Sequence, residues 1–121
     1  TNRHVRLPRI REKRIVDGMV FVELTPFVAF RAAHWSDDEF RALQSFLLVS
    51  PDAGDLIRSG AGLRKLRWSA QGRGKRGGAR VIYYWHVSGD RVYLIYGYAK
   101  SEREDLTPQQ VRTLADLMKD I

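Results

Sequence analysis

The chain has 121 residues and is 44% hydrophobic, which suits one compact domain and excludes most large enzyme scaffolds. It contains no cysteine, so disulfides, thiolate nucleophiles and Cys-ligated zinc are excluded. The longest apolar runs are much shorter than the roughly 18 residues of a membrane-spanning helix. The basic N-terminal residues have no apolar segment behind them, so no secretory signal is expected. We therefore expect a cytoplasmic protein.

The formal net charge of +7 is concentrated in two segments. Residues 1–18 hold 6 basic and 2 acidic side chains, and residues 58–80 hold 8 basic side chains and no acidic one. An evenly solvated surface would mix the two signs. The second segment therefore predicts a surface that binds an anionic partner.

The first half of the chain predicts a basic arm, a strand and two helices. Residues 1–18 show no sustained period and are interpreted as an arm outside the core, with a helical turn near Ile10 to Val16. Residues 20–24 predict a strand because they are β-branched and aromatic. Thr25 is the predicted N-cap of a short helix over residues 26–33. Ser36 and Glu39 form a capping-box pattern that begins the second helix.

The second half predicts a three-stranded unit and a last helix. From Leu63 the period is two, which places Leu66 and Trp68 on one face and Lys65 and Arg67 on the other. After a Gly-rich loop at residues 71–78, the segments 79–87 and 91–99 predict an antiparallel hairpin. Thr107 is the predicted cap of the C-terminal helix. The order is β-α-α-β-β-β-α, a small α+β fold with a largely antiparallel sheet.

Several familiar motifs do not fit this pattern. Gly72, Gly74 and Gly77 match G-x-G-x-x-G, but a strand follows them where a dinucleotide site needs a helix. The three histidines are scattered, without the spacing of a metal site, and no cofactor is implied. Asp37 and Asp38 lie in a first helical turn, where carboxylates favour the helix dipole, so a paired-carboxylate hydrolase is not favoured.

The cations that remain form the informative group: Arg64, Lys65, Arg67, Arg73, Lys75, Arg76, Arg80 and Lys100. Such crowding costs Coulomb energy unless an anion is bound, so nucleic-acid binding is favoured over a solvated basic face without a partner. Lys65, Arg67 and Arg80 are predicted to converge on one phosphate. The aromatic residues of these strands could stack on bases, but most are predicted to be core.

The stretches GLRKLRWSAQGRGKRGGARVIYYW and IYGYAKSEREDLTPQQ resemble the RelE/HigB superfamily of bacterial toxins, in particular its HigB-like branch. The resemblance extends from MVFVELTPF at Met19 to the C-terminus. It divides the chain into a toxin domain, residues 19–121, and a basic extension, residues 1–18. Met19 falls where such toxins usually begin, so the extension is expected to come from an upstream start or an artificial addition.

The resemblance implies a curved sheet packed by helices and a ribosome-dependent endoribonuclease that cuts messenger RNA and inhibits translation. It implies catalytic roles for Lys65, Arg67 and Arg80, and the loop cations Arg73, Lys75 and Arg76 match the GKGKRGG-like pattern of this branch. These loop cations are predicted to contact RNA, together with Arg64 and Lys100 from the charge pattern. It also implies a cognate antitoxin that is HigA-like and DNA-binding. Some relatives carry a catalytic tyrosine near the C-terminus, where this chain has Leu106 and Thr107.

The expected reaction is attack of a 2′-hydroxyl on the adjacent phosphate without a metal, with arginines stabilising the added negative charge. Two other classes remain open. A non-catalytic RNA- or DNA-binding module would use the same cations without producing new RNA ends. An interaction protein with a basic face for an acidic partner would have no RNA affinity.

Overall fold

The computed structural model describes residues 10–16, 18–69, 78–101 and 105–119. It contains six strands, three helices and one short 3₁₀ turn. The strands are β1 (Ile10–Val16), β2 (Met19–Leu24), β3 (Asp55–Leu56), β4 (Leu63–Trp68), β5 (Ala79–His86) and β6 (Arg91–Ala99). The helices are α1 (Thr25–His34), α2 (Asp37–Val49) and α3 (Pro108–Met118), and the 3₁₀ turn is Val87–Gly89.

The six strands form one sheet in the order β1-β2-β6-β5-β4-β3. β2 and β6 are parallel, and every other neighbouring pair is antiparallel. Helices cover this largely antiparallel sheet, which confirms the predicted α+β class.

The segment Ile10–Val16 is a strand, so the predicted helical turn is wrong. β1 pairs antiparallel with β2, with Val16 opposite Met19, and Gly18 makes the connection with φ +88°. Glycine adopts this left-handed conformation without steric cost. The sequence hides the strand because four consecutive charged residues, 11–14, leave no apolar alternation. The two-residue strand β3 was also missed, since two residues are too few to show a period.

The sheet buries apolar side chains on both faces. On one face, Phe21 and Val81 lie in a cluster with Leu43 of α2. On the other face, Ile82 and Ile95 lie in a cluster with Leu117 of α3. Successive side chains of β5 point to opposite faces of the sheet and therefore pack into two separate apolar clusters. The predicted apolar face of Val81, Tyr83 and Trp85 is confirmed as part of the first cluster.

Two of the three predicted helix caps are confirmed. Ser36 Oγ accepts the Glu39 N–H at 3.1 Å, and Glu39 Oε1 accepts the Ser36 N–H at 2.8 Å. Thr107 and Gln110 form the same reciprocal pair at the start of α3. The third cap is wrong, because α1 begins at Thr25 itself and Leu24, whose side chain cannot accept a hydrogen bond, takes the cap position.

Candidate active site

Strand register places the predicted catalytic cations next to one another. Arg67 of β4 lies directly opposite Arg80 of β5, and Lys65 lies two residues from Arg67 on the same face. Lys65, Arg67 and Arg80 line a single cleft of about 370 Å³. Like charges directly opposite each other destabilise a strand pair. The arrangement is therefore best suited to an anion that lies between the two guanidinium groups.

The other residues lining this cleft, which we call the cationic cleft, are Asp55, Lys100 and Asp105. Lys100 follows β6, and its backbone N–H donates to the carbonyl of Gly78 at 3.0 Å. This contact ties the end of β6 to the start of the β5 segment. The cleft thus holds four cationic and two anionic side chains.

Asp105 organises one wall of the cleft through a single carboxylate oxygen. Its Oδ1 accepts hydrogen bonds from Lys65 Nζ at 2.9 Å, from the Leu106 N–H at 2.9 Å and from the Tyr98 hydroxyl at 3.4 Å. The Lys65 hydrogen bond holds the pKa of the Asp105 carboxyl below its usual 3.8, although burial acts in the opposite direction. Asp105 is therefore an anion at neutral pH, and it fixes where the Lys65 ammonium lies.

The two guanidinium groups differ from Lys65 in their surroundings. None of the carboxylates that the structure describes forms an ion pair with Arg67 or Arg80. Arg80 makes a long contact of 3.5 Å to the carbonyl of Ala79, and the Arg67 side chain is exposed. These two residues keep guanidinium N–H donors for a bound phosphate, whose oxygens match the guanidinium fork.

Arg64 does not line the cationic cleft. It alternates with Lys65 along β4 and therefore lies on the opposite face of the sheet. Its Nη1 donates to the carbonyl of Gly54 at 2.8 Å and to that of Asp52 at 3.0 Å. These two hydrogen bonds from Arg64 hold the loop between α2 and β3 in place. Its predicted contact with RNA stays a prediction.

The three cations of the Gly-rich loop, Arg73, Lys75 and Arg76, lie outside the described residues. The described chain stops at Ser69, just after the end of β4, and resumes at Gly78, just before the start of β5. Arg67 lies next to the first of these points, and Arg80 lies next to the second. The loop therefore leaves and re-enters the fold beside the cationic cleft.

Most aromatic side chains of the strands belong to the core, as predicted. Tyr83, Tyr93 and Tyr98 are buried, and the partly buried Trp68, Tyr84, Trp85 and Tyr96 pack against the two core clusters. His34 stacks on Phe30 in α1 and shares a hydrogen bond with the Phe30 carbonyl. Within the described ranges, no group of three or more His, Asp or Glu residues is placed to hold a metal ion.

Asp55 and Asp105 are the cleft-lining residues that sequence reasoning missed, and Asp105 is the one that contacts a predicted catalytic residue. It lies just before the capped helix α3 and directly after Glu104 in the charged stretch SEREDLT, and such a stretch is typical of a solvated loop. It lies 40 residues from Lys65 along the chain. The only available signal was that an acidic residue two positions before a helix cap can reach the neighbouring sheet.

A family model described as "RelE toxin of RelE / RelB toxin-antitoxin system" matches residues 51–121. The match covers more than half of the chain and includes β3 to α3, and with them every residue that lines the cationic cleft.

In the part of the chain that the structure describes, no helix is long and apolar enough to span a membrane.

Proposed function

The chain belongs to the RelE toxin family, and on that premise we propose that it is an endoribonuclease that cleaves messenger RNA on the ribosome and so stops translation. Membership makes the protein a toxin of a toxin–antitoxin system with a cognate antitoxin as partner. The assignment to the HigB-like branch, with a HigA-like antitoxin, is part of the proposal. It rests on the GKRGG pattern of the loop between β4 and β5.

One observation carries the proposal: Arg67 and Arg80 face each other in a cleft that also holds Lys65. In RNA cleavage, the 2′-hydroxyl gives its proton to solvent water as its oxygen forms a bond to phosphorus, and the bond to the 5′ oxygen breaks. The transition state carries extra negative charge on the non-bridging oxygens. Two preorganised guanidinium groups stabilise that charge more than they stabilise the ground state.

Lys65 is assigned to the leaving 5′ oxygen: its ammonium transfers a proton to that oxygen, so that a 5′-hydroxyl leaves, and solvent water returns a proton to the amine. One of its three donors is already used by Asp105. Asp105 has no direct part in the reaction in this proposal. It is a positioning residue that fixes the direction of the remaining Lys65 donors toward the cleft.

The test is cleavage of message on programmed ribosomes, with the new RNA ends mapped by primer extension. Arg80→Ala should reduce the cleavage rate about 100- to 1,000-fold, the usual cost of removing one transition-state donor. Arg41→Ala is the matched control, because Arg41 is an exposed arginine on α2 paired with Asp38. Its cleavage rate should match that of the unsubstituted protein.

Full activity of Arg80→Ala would contradict the assignment of this residue. If the unsubstituted protein binds RNA but produces no new ends, a non-catalytic RNA-binding module replaces the nuclease. Expression in growing bacteria gives an independent readout, since growth should stop and resume when the antitoxin is co-expressed.

A further inference from the structure

A buried tyrosine lies beside the cationic cleft. Tyr98 of β6 is directly opposite Arg80 of β5, so its side chain lies on the face of the sheet that carries the cleft. Only 4% of Tyr98 is exposed, and it belongs to the core cluster that contains Leu117 of α3. The aromatic ring accounts for this packing. The hydroxyl is the part of the side chain that packing does not explain.

The Tyr98 hydroxyl reaches the carboxylate that holds Lys65. It donates to Asp105 Oδ1 at 3.4 Å, a long hydrogen bond, and the same oxygen accepts the Lys65 ammonium at 2.9 Å. The third donor, the Leu106 N–H, belongs to the next residue in the chain and moves with Asp105. Among the described contacts, Tyr98 and Lys65 therefore tie this carboxylate to the sheet, and Tyr98 is the buried one of the two.

An anchor of this kind matters because Asp105 itself is open to solvent. Its side chain is 61% exposed, and the residue lies outside the helices and strands. An exposed carboxylate and a flexible lysine side chain lose conformational entropy when they pair, so such a pair holds its geometry weakly by itself. A hydroxyl whose position is already fixed by the core lowers the cost of ordering the carboxylate that it binds.

We propose that Tyr98 is a positioning residue of the cleavage reaction. Its hydroxyl orients the Asp105 carboxylate, and that carboxylate orients the Lys65 ammonium toward the leaving 5′ oxygen. The inference rests on the proposed nuclease function and adds to it a residue that touches no part of the substrate. Because Arg80 lies opposite Tyr98, the contact relates the position of Lys65 to the strand pair that carries this guanidinium.

Tyr96 gives a matched control on the same strand. It precedes Tyr98 by two residues on the same face, its ring centroid is 6.0 Å from that of Tyr98, and its side chain is partly exposed. Among the described contacts, the hydrogen bond to Asp105 belongs to Tyr98 and not to Tyr96. A difference between the two Tyr→Phe variants therefore reports the contact with Asp105.

The first test is a kinetic double-mutant cycle with the full chain on programmed ribosomes. Tyr98→Phe should lower the maximal cleavage rate about threefold to fivefold and leave KM for ribosomes unchanged, because Lys65 acts in the transition state. In an Asp105→Ala background the same substitution should have no further effect, since the residue through which Tyr98 acts is gone. Tyr96→Phe should leave the rate and KM unchanged in both backgrounds.

Two kinetic results would overturn the proposal. One is a Tyr98→Phe rate equal to that of the unsubstituted protein. The other is an equal loss of rate in both backgrounds, which is the result that a purely structural role of Tyr98 would give.

A second measurement needs no variant and so holds even where Tyr98→Phe does not fold. In the unsubstituted protein, the NMR signal of Tyr98 Cζ should shift with the same midpoint as the acid titration of the Asp105 carboxyl, because protonation removes the charge that the hydroxyl faces. The Tyr96 Cζ signal should shift clearly less. A Tyr98 signal that ignores the titration would show that the contact is not formed and would overturn the proposal.

The two measurements separate this inference from the nuclease function. If message is cleaved but Tyr98→Phe is as fast as the unsubstituted protein, the positioning role is wrong and the nuclease stands. If no message is cleaved, the nuclease is contradicted. The titration alone then decides whether Tyr98 orients Asp105, and a Tyr98 signal that follows Asp105 supports that contact.

Discussion

At the scale of single residues, the cationic cleft depends on a contrast between paired and unpaired cations. The Lys65 ammonium is bound to Asp105, whereas Arg67 and Arg80 pair with no carboxylate in the described ranges. A paired cation has a fixed position, and an unpaired one keeps its donors for substrate. Among the described residues, the cleft therefore combines one oriented ammonium with two guanidinium groups that have no carboxylate partner.

Replacement of Asp105 by asparagine tests its positioning role. The amide keeps the shape of the side chain but loses its charge, so Lys65 is held less firmly and cleavage of ribosome-bound message should slow about tenfold. Asp105→Glu keeps the charge and should restore part of the rate. Equal rates for all three proteins would show that Asp105 has no role in positioning.

The pH dependence of this contact follows from the lowered pKa of Asp105. A carboxyl whose folded pKa is depressed contributes stability above its unfolded pKa, and this contribution is lost as pH falls through the folded value. Because the Asp105 side chain is 61% exposed, solvent screens the pair and the contribution stays below about 1 kcal/mol. In urea unfolding, Asp105→Asn should be slightly less stable than the unsubstituted protein near about pH 7 and equal to it near about pH 2.

Tyr83 is the buried residue on which the loop before β3 depends. Tyr83→Phe removes two hydrogen bonds and leaves the Gly54 N–H without its partner, which should cost about 1–3 kcal/mol in urea unfolding. Tyr96→Phe, with a partly exposed ring, is the control and should change stability by less than about 0.5 kcal/mol. Equal losses in the two variants would contradict the role of Tyr83.

Burial also raises the pKa of Tyr83 above its usual 10.0, against a smaller opposing effect of the Gly54 hydrogen bond. A group whose folded pKa is raised contributes stability below its unfolded pKa, and this is lost as pH rises through the folded value. The stability difference between the unsubstituted protein and Tyr83→Phe should therefore be largest near neutral pH and should narrow above about pH 10.

At the scale of elements, the start of α3 links a local sequence signal to the cleft. The capping box of Thr107 and Gln110 sets where the helix begins, and Asp105 lies two residues earlier. The same kind of cap begins α2 at Ser36, which is not among the residues lining the cleft. The chain thus contains two caps of equal chemistry, and only one of them adjoins the candidate site.

Thr107→Ala and Ser36→Ala form a matched pair that uses this difference. Each substitution should lower the free energy of unfolding by about 1 kcal/mol, because each removes one N-cap hydrogen bond. Only Thr107→Ala should also slow RNA cleavage, by several-fold, since it frees the segment that carries Asp105. The link between cap and cleft would be disproved if the two variants cleaved RNA at the same rate.

At the scale of the whole molecule, the excess positive charge predicts how RNA binding responds to salt. For single-stranded RNA, each neutralised phosphate contributes about 0.7 to the slope of log affinity against log salt concentration. The charged segment 58–80 contributes Lys65, Arg67 and Arg80 to the cleft, and the loop cations Arg73, Lys75 and Arg76 are predicted to extend the contact. Salt dependence therefore measures how many cations engage the RNA.

Replacement of Arg73, Lys75 and Arg76 by glutamine should lower that slope by about 2 in filter binding to single-stranded RNA, because three phosphate contacts are lost. In the control variant, glutamine replaces three other exposed cations: Arg41 on α2, Arg112 on α3, and Lys119, which follows α3. The control keeps the net charge equal to that of the loop variant, and its slope should match that of the unsubstituted protein. An unchanged slope in the loop variant would remove these cations from the RNA-binding surface.

The sequence by itself determined the features that depend on near neighbours in the chain. The capping boxes of α2 and α3, the β5–β6 hairpin and the alternation of Lys65 and Arg67 with Leu66 were all predicted, because each follows from residues a few positions apart. The same local logic failed for β1, whose run of charges conceals its period, and for β3, which has only two residues.

Only the tertiary structure decided which side chains meet across the sheet. The register of β4 with β5 places Arg67 opposite Arg80, the packing of the loop before β3 brings the Gly54 carbonyl to Arg64, and the return of the chain before α3 brings Asp105 to Lys65. These contacts join residues 10 or more positions apart. They depend on strand pairing and on helix packing against the sheet, which are set by the burial of apolar surface throughout the fold and leave no local pattern at the residues concerned.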